Sequence, residues 1–226
     1  MKIIKAGYEI IKDKSGMDIL KNIEKIGRVC YKSEDRITDD SCISFVKGLI
    51  QRGHEAMIEH EKITVVFTND RGVSHEEVRH RLASFAQEST RYCNYSKDKF
   101  GNEVTFIDIS KGIELDNAMQ KSLESGNLTT KDISAIINEW KLACEDAERH
   151  YFNMLQLGAS PNIARSVLNN STKTTIVITM NIREWRHFFK LRIESVAHPQ
   201  MREVTIPLLK EMQETYPILF DDIELK

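Results

Sequence analysis

The chain has 226 residues, of which 41% are hydrophobic and 29% are charged, so it carries enough apolar material to bury a core, and its length suits one domain. Its 32 basic and 34 acidic residues give a formal net charge of −2, which argues against a globally basic protein that binds nucleic acid or an anionic membrane. Any site for an anion must therefore be local.

The cysteines and the N-terminus indicate a reducing compartment. The cysteines are scattered, without a CxxC pair, at Cys30, Cys42, Cys93 and Cys144, which suits free thiols better than disulfides or a zinc site. The first five residues lack the apolar stretch of a secretory signal, and no run approaches the roughly 20 apolar residues of a membrane span. We expect a soluble, cytoplasmic protein with no membrane partner.

Local patterns in the first third of the chain predict helices and strands. Residues 2–10 alternate weakly, as in an edge strand, and apolar residues recur at helical spacing over residues 17–26 and 41–50. The β-branched run at residues 63–68 predicts a strand that ends in a turn at residues 69–72. Two helices thus precede the first well-defined strand.

A further helix is predicted from Ser74 to Gln87. Ser74 with Glu77 three residues later is a capping-box pattern that opens helices. The buried face of this helix would consist of apolar residues at helical spacing, namely Val78, Leu82 and Phe85. The loop beyond it would carry three polar residues, Ser89, Thr90 and Arg91.

The rest of the chain is predicted to be mainly helical, with strands at residues 104–109 and 172–179. A long amphipathic helix begins at Asp132 and is stopped by Gly158 and Pro161. Asn181, with Glu184 three residues later, predicts a helix cap. The remaining helical segments are expected at residues 161–168, 185–193 and 200–214, the last one kinked at Pro207.

Two kinds of polar segment are candidates for a site. His54, Glu55, Glu59 and His60 could be an ordinary polar loop or one wall of a cofactor pocket, but two histidines six positions apart do not share a helical face, so we expect no metal. Arginines recur in segments 79–91, 165 and 183–192, and the helix of the last segment has a local charge of +3, from four bases and one acid. Such arginines could converge on a polyanionic small molecule, or they could be solvated helix faces.

Arg79-His80-Arg81, followed after seven residues by Ser89, resembles the RHR-x7-S signature of the flavin-dependent thymidylate synthases. The resemblance runs from about residue 50 to residue 205. It implies an α+β fold with a mostly antiparallel sheet packed with helices, a single domain over residues 1–226, and a homotetramer whose active sites are shared between subunits. It also implies reductive methylation of dUMP to dTMP, with methylenetetrahydrofolate as carbon donor and NADPH-reduced FAD as hydride donor, and no nucleic-acid partner.

The resemblance further implies roles for individual residues. Arg192 would be catalytic, since a cation facing the uracil favours ionisation of its N3 and so activates carbon 5. The residues implied in flavin binding are Arg79, His80, Arg81, Gln87, Asn181, Arg183 and His187. Those implied in dUMP binding are Glu76, Arg79, Gln87, Ser89, Thr90, Arg91, Arg165 and Arg192. Weaker pocket candidates are His54, Glu59 and His198.

Several positions depart from the family pattern or allow another interpretation. The departures are Glu76 where a Gln is familiar, Ala56, Asn162, Asn169, and Val196 with His198 two positions later. Ser89 has no neighbouring general base, so we expect a phosphate ligand and not a nucleophile, and Cys93 is expected to be a small core residue. A non-catalytic nucleotide- or nucleic-acid-binding module is the alternative function, and an oligomerisation protein whose arginines pair with the acidic C-terminal tail is another.

Overall fold

A four-stranded antiparallel sheet with the order β2–β3–β6–β4 occupies the centre of the structure, a computed structural model that describes residues 1–98 and 101–225. Strands β1 and β5 form a separate parallel pair. The strand bounds are β1 Lys2–Ile4, β2 Gly7–Ile11, β3 Lys62–Asp70, β4 Ala83–Gln87, β5 Thr105–Ile107 and β6 Lys173–Asn181. The expected α+β class with a mostly antiparallel sheet is confirmed.

The central pair of strands forms because their sequences alternate. In β3, Ile63, Val65 and Phe67 are buried while the residues between them are less so, as a half-buried strand requires. Strand β6 pairs with β3 along its whole length, with Lys62 opposite Asn181 and Asp70 opposite Lys173. The two ends of the sheet therefore lie in different surroundings, one near Asn181 and the other near Lys173. The candidate site residues described below are distributed between these two ends.

Helices cover the sheet and the second strand pair. Their bounds are α1 Gly16–Val29, α2 Ser41–Gln51, α3 Arg71–Glu77, α4 Ser110–Leu115, α5 Asn117–Glu124, α6 Thr130–Gln156, α7 Pro161–Ala164, α8 Ile182–Arg192 and α9 Pro199–Thr215. Short 3₁₀ turns lie at Glu34–Arg36, Glu55–His60 and Arg165–Val167. No helix of the described residues combines the length and the apolar character needed to cross a membrane.

Helix α8 packs its aromatic face onto the sheet. Trp185, Phe188 and Phe189 are fully buried, and the indole N–H of Trp185 donates a 3.0 Å hydrogen bond to the backbone oxygen of Ile63. A second apolar cluster lies under α6 and β5 and includes Tyr151 and Phe106. The polar side of α8 is therefore directed away from the core, toward the segment that follows α3.

Several local predictions need correction. Residues 2–10 form two short strands in different sheets, and the predicted turn at residues 69–72 is the end of β3 followed directly by α3. Asp70, not Ser74, caps α3, because its carboxylate accepts a 2.7 Å hydrogen bond from the backbone N–H of Val73. The cap predicted at Asn181 is confirmed, since its side chain accepts from the N–H of Glu184 at 2.8 Å, but α8 begins at Ile182, three residues earlier than expected.

The helix predicted from Ser74 to Gln87 is wrong. Helix α3 ends at Glu77, and residues 83–87 form β4, which pairs with β6 from Ala83 opposite Met180 to Gln87 opposite Ile176. Val78 and Leu82 are 39% and 72% exposed instead of forming a buried stripe. Only pairing with a strand about ninety positions away in the chain makes this segment extended, and local spacing does not carry that information. The loop position of Ser89, Thr90 and Arg91 beyond it is confirmed.

Candidate functional site

Two adjoining clefts form a groove beside the start of β4 and the N-terminal half of α8, which we call the β4–α8 groove. The clefts have volumes of about 410 and 500 Å³ and share Glu59, Leu82 and Asn181 in their walls. Arg81 lines one cleft, and Arg183, His187 and Lys190 line the other. The groove thus presents both cationic and acidic side chains, Glu55, Glu59 and Glu184 among the acids, around an exposed apolar side chain, Leu82.

Arg192, at the C-terminal end of α8, is held by the segment that carries the Arg79-His80-Arg81 motif. Its Nε–H donates to Nε2 of His80 at 3.1 Å. Its Nη1 donates to the carboxylate of Glu76 at 2.8 Å, and its Nη2 donates to the backbone oxygen of Glu76 at 3.1 Å. These contacts use one N–H group of each guanidinium nitrogen, which leaves the second hydrogens of Nη1 and Nη2 for a ligand.

His80 is buried between α3 and α8. Its Nδ1 lies 3.1 Å from Oε1 of Glu184, and its ring packs edge-on against Phe188 with centroids 4.9 Å apart. Burial lowers the pKa of His80 below its usual value, against the raising effect of the Glu184 carboxylate. His80 therefore tends to remain neutral, and both of its ring nitrogens have protein partners.

His80, Glu184 and His187 also offer ligand atoms that all lie within 4.8 Å of one another, a spacing that could suit a metal ion. The donor set does not favour one. A guanidinium N–H can only donate, so Nε2 of His80 must accept from Arg192 and the neutral ring must carry its proton on Nδ1. A protonated Nδ1 has no lone pair with which to ligate a metal.

The residues expected to bind dUMP lie mainly toward the other end of the sheet. Gln87, at the end of β4, donates to Ser74 at 2.9 Å and to Thr174 at 3.2 Å, so its amide nitrogen is held by α3 and β6. Arg165 donates to the hydroxyl of Thr90 at 3.1 Å. The structure therefore brings together two phosphate candidates that are 75 positions apart in the sequence.

The loop after β4 presents the other phosphate candidates. The hydroxyl of Ser89 accepts from the backbone N–H of Arg91 at 3.3 Å. The Arg91 guanidinium stacks over the ring of Tyr92, 5.2 Å from its centroid, and both side chains are exposed. Arg79 is likewise exposed. These exposed side chains are accessible to a ligand, and the hydrogen bond described for the Ser89 side chain is to the backbone N–H of Arg91 and not to a basic side chain.

The basic patch expected on α8 is not a patch of free positive charge. Arg183 pairs with Glu59 at 2.5 Å. Arg186 is only 2% exposed, and its two terminal nitrogens bind the Asp222 carboxylate at 2.6 and 2.7 Å. The hydrogen bond from Arg186 lowers the pKa of Asp222. One arginine thus pairs with the acidic tail, in a structural ion pair inside this chain.

The weaker pocket candidates have different surroundings. Glu59 lines the β4–α8 groove and binds Arg183. His54 is exposed at the start of the 3₁₀ turn that ends at His60. His198 precedes α9 and lines a different, shallow cleft of about 260 Å³ with Gly112 and Met119. Of these three residues, the structure therefore brings only Glu59 to the groove.

The remaining positions that depart from the family pattern are mostly peripheral. Ala56 and Asn162 are exposed, and Val196 is 93% exposed. Asn169 lies 3.5 Å from the thiol of the buried Cys144. Cys93 is partly buried and packs against the second apolar cluster, which agrees with its expected role as a small packing residue.

Sequence patterns missed two acidic residues that the structure brings next to the site. Glu184 was predicted only as part of a helix cap, and Glu77 only as part of a capping box. Glu77 is fully buried, and burial is the main cause that raises its pKa from 4.5 to about 8. For Glu184, the i, i+3 spacing to His187 on one helical face is the available signal. For Glu77 no sequence signal was available, because its burial depends on the packing of α3.

Comparisons with known proteins identify the family to which the chain belongs. The family model described as thymidylate synthase complementing protein matches residues 14–218. The RHR motif, the loop after β4 and Arg192 all fall inside this range. The chain therefore belongs to the flavin-dependent thymidylate synthase family, and the resemblance stated from the motif is confirmed.

The similar proteins share most of the chain. A flavin-dependent thymidylate synthase of Corynebacterium aurimucosum is 30% identical over 208 residues, which cover 90% of this chain and 79% of the relative. The protein of the same name from Corynebacterium glutamicum is 28% identical, covering 98% of this chain and 85% of the relative. That of Mycobacterium leprae is 28% identical, with 90% and 79% covered.

Proposed function

We propose that this chain methylates dUMP to dTMP, with methylenetetrahydrofolate as carbon donor and NADPH-reduced FAD as hydride donor. Family membership supports thymidylate synthesis by a flavin-dependent enzyme. The observation that carries the finer assignment is the convergence of Arg192 with His80 and Glu76. It joins Arg192 to the RHR segment, more than a hundred positions earlier, in one polar centre.

The β4–α8 groove fits a large anionic cofactor such as FAD. Its two clefts have the size of ligand pockets, which range from about 300 to 1,000 Å³. Guanidinium groups suit a diphosphate, and Leu82, which is 72% exposed, offers an apolar surface to a ring system. Of the residues proposed to hold the flavin, Arg81, Asn181, Arg183 and His187 line this groove. The resemblance also implies Arg79, His80 and Gln87, but these three are outside the groove lining, and Gln87 lies toward the other end of the sheet. When bound, reduced FAD supplies the hydride, and the protein supplies orientation and electrostatics.

The dUMP phosphate is proposed to bind where the loop after β4 meets the 3₁₀ turn at Arg165–Val167. The contact between Arg165 and Thr90 supports this assignment, because a guanidinium beside a hydroxyl forms an anion cradle that Ser89 and Arg91 can complete. Ser89 acts as a hydrogen-bond donor to the phosphate in this proposal. It needs no activation by a base, in contrast to a nucleophilic serine.

Arg192 is proposed to face the uracil ring. Its two remaining N–H groups can donate to the uracil edge, and its positive charge favours loss of the N3 proton, which makes carbon 5 more nucleophilic. The carboxylate of Glu76 already shares the guanidinium at 2.8 Å. An anionic uracil must therefore displace that carboxylate or accept its proximity, and this is the consequence we expect of having Glu, not Gln, at position 76.

A homotetramer with active sites shared between subunits is part of the proposal, as is a single domain over residues 1–226. Strand β4 is the outer strand of its sheet on one side, and several large apolar side chains near the site are exposed: Leu82, Tyr92, Leu191 and Val196. Large apolar side chains exposed to solvent are candidates for burial in a subunit interface. A tetrameric mass in solution by light scattering supports this part, and a monomer at micromolar concentration contradicts it.

The visible absorption spectrum of the purified protein tests the cofactor assignment. We expect the absorption of a bound flavin, either as purified or after addition of FAD. A colourless protein that also fails to take up FAD contradicts the proposed function. The alternative of a non-catalytic nucleic-acid-binding module predicts binding that strengthens with oligonucleotide length and weakens steeply with salt, and that result would replace the proposal.

Substitution of Arg192 by Ala tests the catalytic assignment. We expect flavin binding and folding to persist while dTMP formation falls by about a hundredfold to a thousandfold, the range for loss of one charge-stabilising donor. Arg149→Ala is the matched control, because Arg149 is exposed on α6 in a surface ion pair with Asp146. Near-normal turnover of Arg192→Ala would refute the assigned role.

A further inference from the structure

A buried chain of hydrogen bonds connects the two ends of α8 through His80 of the RHR segment. Glu184, in the first turn of α8, lies 3.1 Å from Nδ1 of His80. Nε2 of His80 lies 3.1 Å from Nε of Arg192, at the other end of the same helix. Glu184 and His80 are only 8% and 4% exposed, so neither side chain exchanges these partners freely with water.

The donors and acceptors of this chain can be assigned without ambiguity. Arg192 can only donate, so Nε2 of His80 accepts and carries no proton. The single proton of the neutral ring is then on Nδ1, where it faces the carboxylate acceptor of Glu184. The opposite tautomer would place two N–H groups against each other at Arg192 and leave the buried carboxyl group of Glu184 without this donor, which is unfavourable away from water.

We infer that Glu184 is a positioning residue for the proposed reaction, acting through His80 to hold the Arg192 guanidinium in its productive orientation. The inference rests on the proposed function. Glu184 is not proposed to touch dUMP. By accepting from Nδ1–H, Glu184 holds the His80 ring with Nε2 toward Nε of Arg192, while the far side of the guanidinium meets Glu76.

Arg192 needs the contact with His80 because its other side-chain contact, with Glu76, is not available during the proposed reaction. The uracil competes with the Glu76 carboxylate for the guanidinium, so that contact cannot also hold Arg192 in place during turnover. The His80 contact is on a different nitrogen and is shielded by Phe188. It persists when Glu76 is displaced and keeps the guanidinium preorganised, which matters because a small misplacement can cost about a hundredfold in rate.

The side chain of Glu184 can be changed without removing the helix cap. The cap hydrogen bond to Asn181 comes from the backbone N–H of Glu184 at 2.8 Å, not from its carboxylate. Glu184→Ala therefore removes the acceptor of His80 but leaves the start of α8 capped. Glu184→Gln keeps a side-chain oxygen that can accept from Nδ1–H, so it serves as the conservative variant that should restore the relay.

The first experiment determines the tautomer of His80 by nitrogen-15 NMR of the imidazole, with signals assigned by their loss in His80→Gln. We expect the proton on Nδ1 in the wild type and in Glu184→Gln, and a mixture of both tautomers in Glu184→Ala, because a ring without the Glu184 acceptor is held only by Arg192 and can turn away from it. A wild-type ring protonated on Nε2 overturns the inference. This measurement needs neither flavin nor dUMP, so an inactive wild type would refute the proposed function while the hydrogen-bond chain would still be judged on its own.

The second experiment compares kinetic parameters of the flavin-loaded variants. We expect Glu184→Ala to lower kcat by about tenfold to a hundredfold while the KM for dUMP changes by less than about threefold, because the proposed phosphate contacts are elsewhere. Glu184→Gln should recover most of kcat. Glu124→Ala, at an exposed position of α5, is the control that should match the wild type. An unchanged kcat in Glu184→Ala, or a Glu184→Gln variant as slow as Glu184→Ala, refutes the positioning role.

Discussion

Glu77→Gln is expected to stabilise the protein at neutral and alkaline pH. Glu77 is fully buried. Oε1 accepts from the amide of Asn69 at 2.8 Å, while Oε2 has no partner among the described residues. Burial, and to a smaller extent the charges of Asp70 and Glu76, raise its pKa from 4.5 to about 8. Ionisation of Glu77 therefore costs more free energy in the folded protein than in the unfolded chain.

The size of the effect follows from linkage. Between pH 4.5 and about pH 8 the folded chain binds more protons at Glu77 than the unfolded chain, so the free energy of unfolding falls as the pH rises through this window. Each pH unit is worth about 1.4 kcal/mol, which gives an upper limit of about 3 kcal/mol at pH 7. Because water entry and local relaxation reduce such penalties, we expect a gain of about 1 to 3 kcal/mol for Gln at pH 7.

The variant is suited to the site. The side-chain oxygen of Gln can still accept the hydrogen bond from the Asn69 amide. Its amide nitrogen, in the place of Oε2, can donate to the Asn69 side-chain oxygen, which has no partner among the described residues. Urea unfolding followed by circular dichroism, at one protein concentration and at pH 5, 7 and 8.5, measures the difference between the two proteins. That difference isolates Glu77 from Glu203, whose pKa burial also raises, to about 7.

The pH dependence is the decisive part of the result. At pH 5 the two proteins should differ by less than about 1 kcal/mol, because pH 5 lies only half a unit above the ordinary pKa of 4.5 and little of the penalty has yet developed. Glu124→Gln, at an exposed position on α5, controls for removal of a charge and should give no such trend. A Glu77→Gln variant that is less stable than the wild type at pH 8.5, or whose advantage does not grow between pH 5 and pH 8.5, refutes this reasoning.

Two further outcomes test the phosphate site and the tail. Ser89→Ala should raise the KM for dUMP by about tenfold, the loss of one hydrogen bond to a charged group, with kcat at saturating dUMP little changed; complete loss of turnover at saturation would restore the nucleophile hypothesis. Arg186→Ala should lower the free energy of unfolding by about 1–3 kcal/mol, because it removes a buried guanidinium and leaves the Leu219 carbonyl oxygen without its donor, while the Asp222 side chain, which is 50% exposed, stays solvated. Urea unfolding measures this, and a loss below about 1 kcal/mol would show that the pair with Asp222 is not structural.

Local chemistry was sufficient to predict the parts of the fold that depend on neighbouring residues. Alternation of apolar residues predicted β3 and β6, and the spacing of Asn181 and Glu184 predicted the cap of α8. The Arg79-His80-Arg81 segment with Ser89 identified the family without any structure. These features need only a few adjacent positions, whose side chains and backbone groups interact directly.

The tertiary structure decided what depends on distant partners. Residues 83–87 have a helical spacing, but they become β4 because β6 offers a free edge with matching register. Glu184 resembles an ordinary capping residue until His80, 104 positions earlier, meets its carboxylate. Glu77 has an ordinary carboxyl until packing removes it from water. The sequence alone thus determined the family and the residue types of the site. The orientation of Arg192, the tautomer of His80 and the charge state of Glu77 were decided by long-range packing. These properties depend on which groups are brought together and on how far water is excluded.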